Sequence, residues 1–354
     1  MAGSGRLTAA GSRRREVLAG GRLRAWVRSD FGVDLGPLDE VGHGADEAAQ
    51  LWRAAGTDGR RYAVKLSGGG TPAGLLVTDH LARYGVPGIA GPVRTRDGRL
   101  WRERDGRRLS LAPWVSDHRA LDGGMTAGHW AAYGALLARV HATPVTEELA
   151  AALPREDHTH ARARSLHQLV ERRLGAAPAD DLAGAVVRRW HDAAGQVRTL
   201  LDQADALGGE LRGRPEEGVV CHGDPHLGNL LLGADGRVWL VDWDDAVLAP
   251  PERDLMFVTG GVLAFAPVTG PEQGWFFDGY GPVETDRTRL AYYMCVRAME
   301  DLFGFAANVL DARGRAGAGR AEALSIVDGL LSPAGLVTLA VASLRDIGRT
   351  SAAP

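Results

Sequence analysis

Residues 221–242, which read CHGDPHLGNLLLGADGRVWLVD, constrain this 354-residue chain more than all the rest of it. His222-Gly223-Asp224 is followed five residues later by Asn229, and an apolar run from Val238 to Val241 then delivers Asp242. Phosphoryl transfer from ATP asks for one carboxylate to orient the attacking hydroxyl and receive its proton. It also asks for an amide and a second carboxylate to hold Mg²⁺ against the nucleotide phosphates. Asp224 fits the first role, and Asn229 and Asp242 fit the second. A loop with the base and first metal ligand, then a hairpin with the second, is expected to bring all three to one point. Gly223 lets the backbone turn where a side chain would clash. Taken alone, Asn229 would read as a turn cap; the spacing favours the ligand.

The length exceeds one typical hydrophobic core and fits a two-lobed enzyme. Hydrophobic residues make up 45% and charged residues 24%, with a formal net charge of −3, so nothing at whole-chain level suggests nucleic acid. The two cysteines, Cys221 and Cys295, form no C-x-x-C pair and read as reduced, buried thiols. No apolar run approaches the ~20 residues of a membrane span. Arg13-Arg14-Arg15 is not followed by the apolar stretch of an export signal, so residues 1–21 read as a flexible tail and the cytoplasm is the expected location.

Periodicity divides the remainder. A short amphipathic helix over 22–30 precedes two strands within Leu38–Ala54, which turn around Gly42-His43-Gly44-Ala45-Asp46. Arg61–Leu66 is a third strand after the hairpin signal Asp58-Gly59. A helix runs from Pro72 to Tyr84, and two more strands, Val93–Arg102 and Arg107–Val115, flank Asp105-Gly106. The boundary falls at a hinge, Ala112-Pro113-Trp114-Val115, giving an N-lobe over 22–115 and a helical C-lobe over 116–354. C-lobe helices are expected over 126–141, 159–175, 180–207, 271–279, 286–312, 320–329 and 333–346. His158-Thr159-His160 lies in a charged, apparently exposed stretch with no third ligand nearby, and is set aside as a metal site.

The catalytic segment resembles the aminoglycoside phosphotransferase and choline kinase superfamily. Asp242-Trp243-Asp244-Asp245, followed by Leu248-Ala249-Pro250-Pro251-Glu252-Arg253-Asp254-Leu255-Met256-Phe257 and Gly260-Gly261, is similar to the spectinomycin phosphotransferase branch. The resemblance covers roughly residues 22–345. It implies an α+β, bilobal, protein-kinase-like fold with a small antiparallel sheet in the N-lobe, and ATP and Mg²⁺ as co-substrate and cofactor. It also implies that His222 braces the catalytic loop, that Asp254 caps it, and that Asp244 supports the loop or faces substrate. Lys65, the inward lysine of Tyr-Ala-Val-Lys-Leu, is the expected phosphate anchor. Kinases pair that lysine with a glutamate on the next helix. Residues 71–84 hold no Glu, which leaves Asp79 as the one acidic candidate there. Gly42 and Gly44 read either as a phosphate-covering loop or as a plain hairpin turn. Pro113, Trp114 and Val115 are expected to meet adenine; Pro113 has no N–H, so Val115 is the donor of choice, and Trp114 alternatively belongs to the core.

The acceptor is less constrained. Polycationic aminocyclitols call for a carboxylate-lined cleft, and Asp245, Glu300 and Asp301, with Asp278, Glu284 and Asp286, are candidates. Tyr280, Tyr292, Tyr293 and Trp275 could pack on a sugar ring or an ammonium group. The expected partner is a small cationic alcohol bound by a monomer or homodimer. A metabolite alcohol such as choline, and a nucleotide-binding pseudokinase, stand as alternatives.

Overall fold

The computed structural model describes residues 20–41, 49–176, 180–214, 218–260, 266–312, 314 and 317–349. The turn with Gly42, His43 and Gly44 lies outside the described residues, as does most of the N-terminal tail. The chain forms two compact units. The first takes residues up to Gly124 together with Thr146–Ala152 and Gly228–Ala246; the second takes Met125–Val145, Leu153–Leu227 and the chain from Val247 onward.

The first unit opens with helix α1 over 20–31, then strands β1 (Leu35–Glu40), β2 (Ala49–Gly56) and β3 (Arg61–Ser67). Helix α2 (Ala73–Arg83) and strands β4 (Arg102–Arg104) and β5 (Arg107–Pro113) follow. The five strands form one antiparallel sheet in the order β1-β2-β3-β5-β4. Side chains alternate across a strand. In β3 the alternation buries Tyr62, Val64 and Leu66, which pack with Leu109 and Leu111 of β5 and with Leu23, Val27 and Phe31 of α1. Ala63 and Lys65 therefore take the opposite face, and a one-residue slip would put the lysine into that core.

The strand expected over Val93–Arg102 shrinks to β4. Asp97 and Gly98 turn the chain back, with Thr95 N donating to Arg99 O (2.8 Å) and Gly98 at φ +82°, so the segment meets β5 at its two ends, through Val93 N to Leu111 O (2.7 Å) and through Arg102 of β4. Asp105 and Gly106 both have positive φ, the backbone of a tight two-residue hairpin. Helix α4 (Glu147–Ala152) packs on α2 in this unit. The β7–β8 hairpin (Leu230–Leu232 and Val238–Leu240) also belongs to it: Leu240 N donates to Gly88 O (2.9 Å), and Leu232 N to His118 O (2.8 Å).

The second unit is helical. Helix α3 (Ala127–His141) is N-capped by Thr126, whose hydroxyl accepts from His129 N. Helices α5 (Ala161–Gly175), α6 (Asp181–Asp192) and α7 (Ala194–Arg212) follow; the expected helix over 180–207 breaks at the buried Ala193. Strands β6 (Val219–Cys221) and β9 (Val247–Ala249) pair antiparallel. Helices α8 (Glu252–Thr259), α9 (Gly270–Tyr280), α10 (Arg287–Leu310), α11 (Gly317–Leu330) and α12 (Leu336–Asp346) complete it.

Helix α10 is the axis of this unit. The Asp286 carboxylate caps it by accepting from Thr288 N and Arg289 N, and α5, α7, α8, α11 and α12 pack around it. Tyr292 and Tyr293, expected to face a ligand, are 1% and 0% exposed and belong to this core. His158 and His160, expected to be exposed, are buried, and both take the left-handed backbone region. His160 Nε2 lies 2.9 Å from Asp205, and the His158 ring lies tilted against Tyr292, with centroids 5.2 Å apart. Helices α3 and α9 meet at glycines: a Cβ on Gly134 would run into the backbone of Phe276, and one on Gly279 into that of Ala131. That close approach lets Tyr133 pack edge-on against Phe276 at 4.9 Å.

Candidate active site

Within the first unit, two carboxylates gather on one ammonium. Lys65 Nζ lies 2.6 Å from Asp244 Oδ2 and 3.2 Å from Asp242 Oδ1. Burial by itself would lower the lysine's pKa, but the Asp242 and Asp244 charges outweigh it and hold the ammonium above its ordinary value. The lysine is 28% exposed while the two carboxylates are more than half exposed, so the cation is set deep and the anions face outward. Asp79 is not its partner. Asp79 instead takes Arg94 Nη2 on both oxygens (2.6 and 2.7 Å) and Arg83 Nε (3.1 Å). Through Arg94 it ties α2 to the segment that follows Val93.

The segment that carries both carboxylates is pinned from below. Gly74, at the start of α2, lies so close to it that a Cβ would sit 2.6 Å from Trp243 O. The Trp243 indole is buried and donates to Leu240 O (3.0 Å). Asp242 takes φ +63°, a conformation uncommon outside glycine and one that concentrates at functional positions. Asn229 sits beside it at the open end of the hairpin, with Val241 N donating to Asn229 O (3.0 Å). Asp245 is exposed.

At the end of β5, Pro113 pairs with Tyr62, and Trp114 N donates to Arg61 O (2.9 Å). The Trp114 indole is tied to Asp117 (2.8 Å) and lies under Arg53. Asp117 also binds Arg61 and Arg53. The hydrogen bond from Arg61 leads the forces that hold its carboxyl at about 2. Val115, the next residue, follows the last sheet hydrogen bond of this strand.

Within the second unit, the His222-Gly223-Asp224 loop hangs on one buried acid. Asp254 accepts from His222 N and Gly223 N, both at 2.8 Å, and from His141 Nε2 at 3.1 Å. The other His141 nitrogen, Nδ1, lies 2.7 Å from the Tyr280 hydroxyl. Burial opposes ionisation of Asp254, yet the His141 hydrogen bond and the surrounding donors prevail and hold its carboxyl below the usual range. Gly223 has φ +85°, so its glycine is needed for both amides to point at one carboxylate. Tyr133 hydroxyl donates to Pro225 O (2.7 Å) and fixes the far side of the loop. Cys221 is fully buried, its thiol directed at Ala249 O and Pro250 O (3.5 Å each) and raised by burial, so it is no nucleophile.

Asp224 follows this clamp. Its Oδ1 lies 2.8 Å from Arg297 Nη1, and Arg297 Nε donates to Asp301 Oδ2 (3.0 Å). Burial would lower the Arg297 pKa, but Asp301 and Asp224 raise it above the ordinary arginine value. Glu300 faces a different arginine, the buried Arg253, and burial raises its carboxyl. Asp301 thus stands next to Asp224 through Arg297, whereas Glu300 belongs to a neighbouring charge cluster. Arg297, His141 and Tyr133 carry no motif. A hint of Arg297 was present: a lone cation inside the apolar stretch Met294–Met299, four residues before an aspartate.

An antiparallel five-stranded sheet with an inward lysine, a His-Gly-Asp loop clamped by a buried aspartate, and a hairpin ending in a second aspartate define a protein-kinase-like phosphotransferase fold. The chain belongs to the phosphotransferase enzyme family (APH), whose profile matches residues 41–293. Among solved structures it is similar to the spectinomycin phosphotransferase APH(9)-Ia in complex with ADP and spectinomycin. That likeness has 25% identity and a TM-score of 0.80, and covers 91% of this chain and 98% of that one. It shares its fold with the amicoumacin kinase hAmiN, at 15% identity and a TM-score of 0.60 over 91% of this chain and 97% of that one. In sequence it is 28% identical over 213 residues to Protein StrN of Streptomyces griseus; the match spans 58% of this chain and 65% of that relative's length. No described helix is long and apolar enough to cross a membrane.

Proposed function

We propose that the protein is an ATP-dependent O-phosphotransferase whose acceptor is a small cationic alcohol, an aminocyclitol of the spectinomycin class. The observation that carries the reaction is the Asp254 clamp. By taking His222 N and Gly223 N on its two oxygens, it holds the backbone that presents Asp224. The likeness to a spectinomycin phosphotransferase over nearly the whole of both chains supports the acceptor class.

In this reading Asp224 orients the acceptor hydroxyl. The hydroxyl oxygen bonds to the γ-phosphorus as the bond to the β–γ bridging oxygen breaks, ADP leaves, and the hydroxyl proton passes to Asp224 and then to solvent. Asn229 and Asp242 would hold Mg²⁺. The donor set fits a hard cation, because Asp242 and Asp244 leave one negative charge uncompensated by Lys65 and all their donor atoms are oxygens. Bound there, the ion offsets negative charge on the nucleotide phosphates. Lys65 adds a fixed cation, and Asp244 keeps it extended toward Asp242. The reading assigns Val115 and its neighbours Pro113 and Trp114 to the adenine edge, and Asp245 and Asp301 to the cationic acceptor.

The test incubates purified protein with ATP and Mg²⁺ against spectinomycin, several aminoglycosides and choline, with product detected by mass. A gain of one phosphoryl group on spectinomycin is the expected result. Transfer to choline alone would overturn the acceptor, and ATP binding without transfer to any acceptor would overturn the reaction.

A further inference from the structure

The geometry points to Arg297 as the positioning residue of the Asp224 base: it takes Oδ1 for orientation and assigns Oδ2 to the acceptor hydroxyl. This inference rests on the proposed phosphotransferase reading, and four observations carry it. Asp224 Oδ1 is buried, whereas the side chain as a whole keeps 18% exposure, so the accessible part of the carboxylate is the other oxygen. Arg297 Nη1 lies 2.8 Å from that buried oxygen. The guanidinium is held in place, because its Nε is bound to Asp301 one turn along α10 and its Cζ lies over the Phe257 ring, 5.4 Å from the centroid. A guanidinium offers two nitrogens in a fixed fork, which an ammonium cannot reproduce, so the site specifies arginine rather than any cation.

Several titratable groups surround Asp224. His222 and His226 belong to its own loop; its N–H donates to His222 Nδ1 (3.2 Å), and His226 Nε2 is 3.6 Å from Oδ2. Tyr133 on α3 feels the Asp224 charge, Asp254 of α8 holds the two residues before it, and α10 contributes Arg297 with Asp301 and Glu300 behind it. Among these described groups Arg297 is the permanent cation in ion-pair contact. Asp224, Arg297 and Asp301 together carry one net negative charge. The two outer members therefore act on the base with opposite sign: Arg297 favours its ionised form and Asp301 opposes it.

The experiment follows the Asp224 carboxyl by NMR in protein labelled with carbon-13 aspartate, without nucleotide or acceptor, its signal identified by loss in Asp224→Asn. In folded Arg297→Met the titration midpoint is expected to rise by about one pH unit or more. In Asp301→Asn it is expected to fall, because the cation then serves Asp224 alone. With a turned-over acceptor, Arg297→Met is expected to lower kcat about 100-fold without a matching rise in the KM for ATP, and Arg297→Lys to recover part of the loss. A folded Arg297→Met protein with the wild-type midpoint would overturn the inference. So would a rise in Asp301→Asn, which keeps the test decisive if Arg297→Met does not fold. Wild-type protein that transfers no phosphate while the midpoints move as expected would sink the phosphotransferase reading and leave the pairing standing.

Discussion

Lys65 is 2.6 Å from Asp244, and this contact takes the place that a helix glutamate holds in kinases. Helix α2 supplies no acid to the lysine, because Asp79 is bound by Arg94 and Arg83. The lysine is anchored by the same segment that carries Asp242. Two substitutions separate these roles. Lys65→Met should raise the KM for ATP and lower kcat, while Asp79→Asn should leave both near wild type and cost about 1 kcal/mol of stability. Steady-state kinetics and thermal melts of the pair check this; a nucleotide defect in Asp79→Asn would return the helix to the site.

Replacing Asp224 by Asn keeps the volume of the side chain and removes the base. Asp301 still holds Arg297, so the fold should persist with little change in Tm. The rate should fall about 10²–10⁴-fold. Turnover at wild-type level by a folded Asp224→Asn protein contradicts the assignment.

Asp254 links stability to pH with a definite sign. Its folded pKa lies below the unfolded value, so its contribution is fully present above the unfolded carboxyl pKa near ~4 and is lost as pH falls through the folded value. Asp254→Ala should cost about 3 kcal/mol or more near neutrality, because two backbone donors and His141 lose a buried acceptor. Denaturant unfolding at neutral and at acid pH should show the difference between variant and wild type shrinking toward the acid end.

Gly74 predicts a coupling between helix α2 and the Asp242–Asp244 segment. An added methyl would sit 2.6 Å from the Trp243 carbonyl oxygen and must push that backbone away. Gly74→Ala should destabilise by roughly 1–3 kcal/mol and also impair ATP turnover, whereas Gly319→Ala, on α11 with open space around its Cβ, should not disturb turnover. Equal effects from both would remove the coupling.

Much of this arrangement was legible in the chain itself. The Asp224, Asn229 and Asp242 spacing and the alternation that turns Lys65 away from Val64 are local properties, set by a short loop, a hairpin and the two-residue repeat of a strand. Most of the C-lobe helices were legible for the same reason, since apolar spacing reports one buried face, but α6 and α7 read as one helix and the short α8 was missed. Where local signals compete, the reading failed: Val93–Arg102 has strand-like residues, but Asp97-Gly98 turns it, and only β4 pairs with β5 as a strand.

The chain alone was therefore enough to locate the His-Gly-Asp loop, the hairpin aspartate and the inward lysine. The tertiary structure alone decided who holds whom. Lys65 and Asp244 are 179 residues apart, and Arg297 lies more than seventy residues beyond Asp224. Pairing at such separations depends on which faces pack, and an aspartate on α2 and one after β8 look alike until packing brings one of them to the lysine. Tyr292 and Tyr293 carry the same lesson. An aromatic pair reads equally as ligand platform or core, and only the helices closing around α10 remove it from solvent.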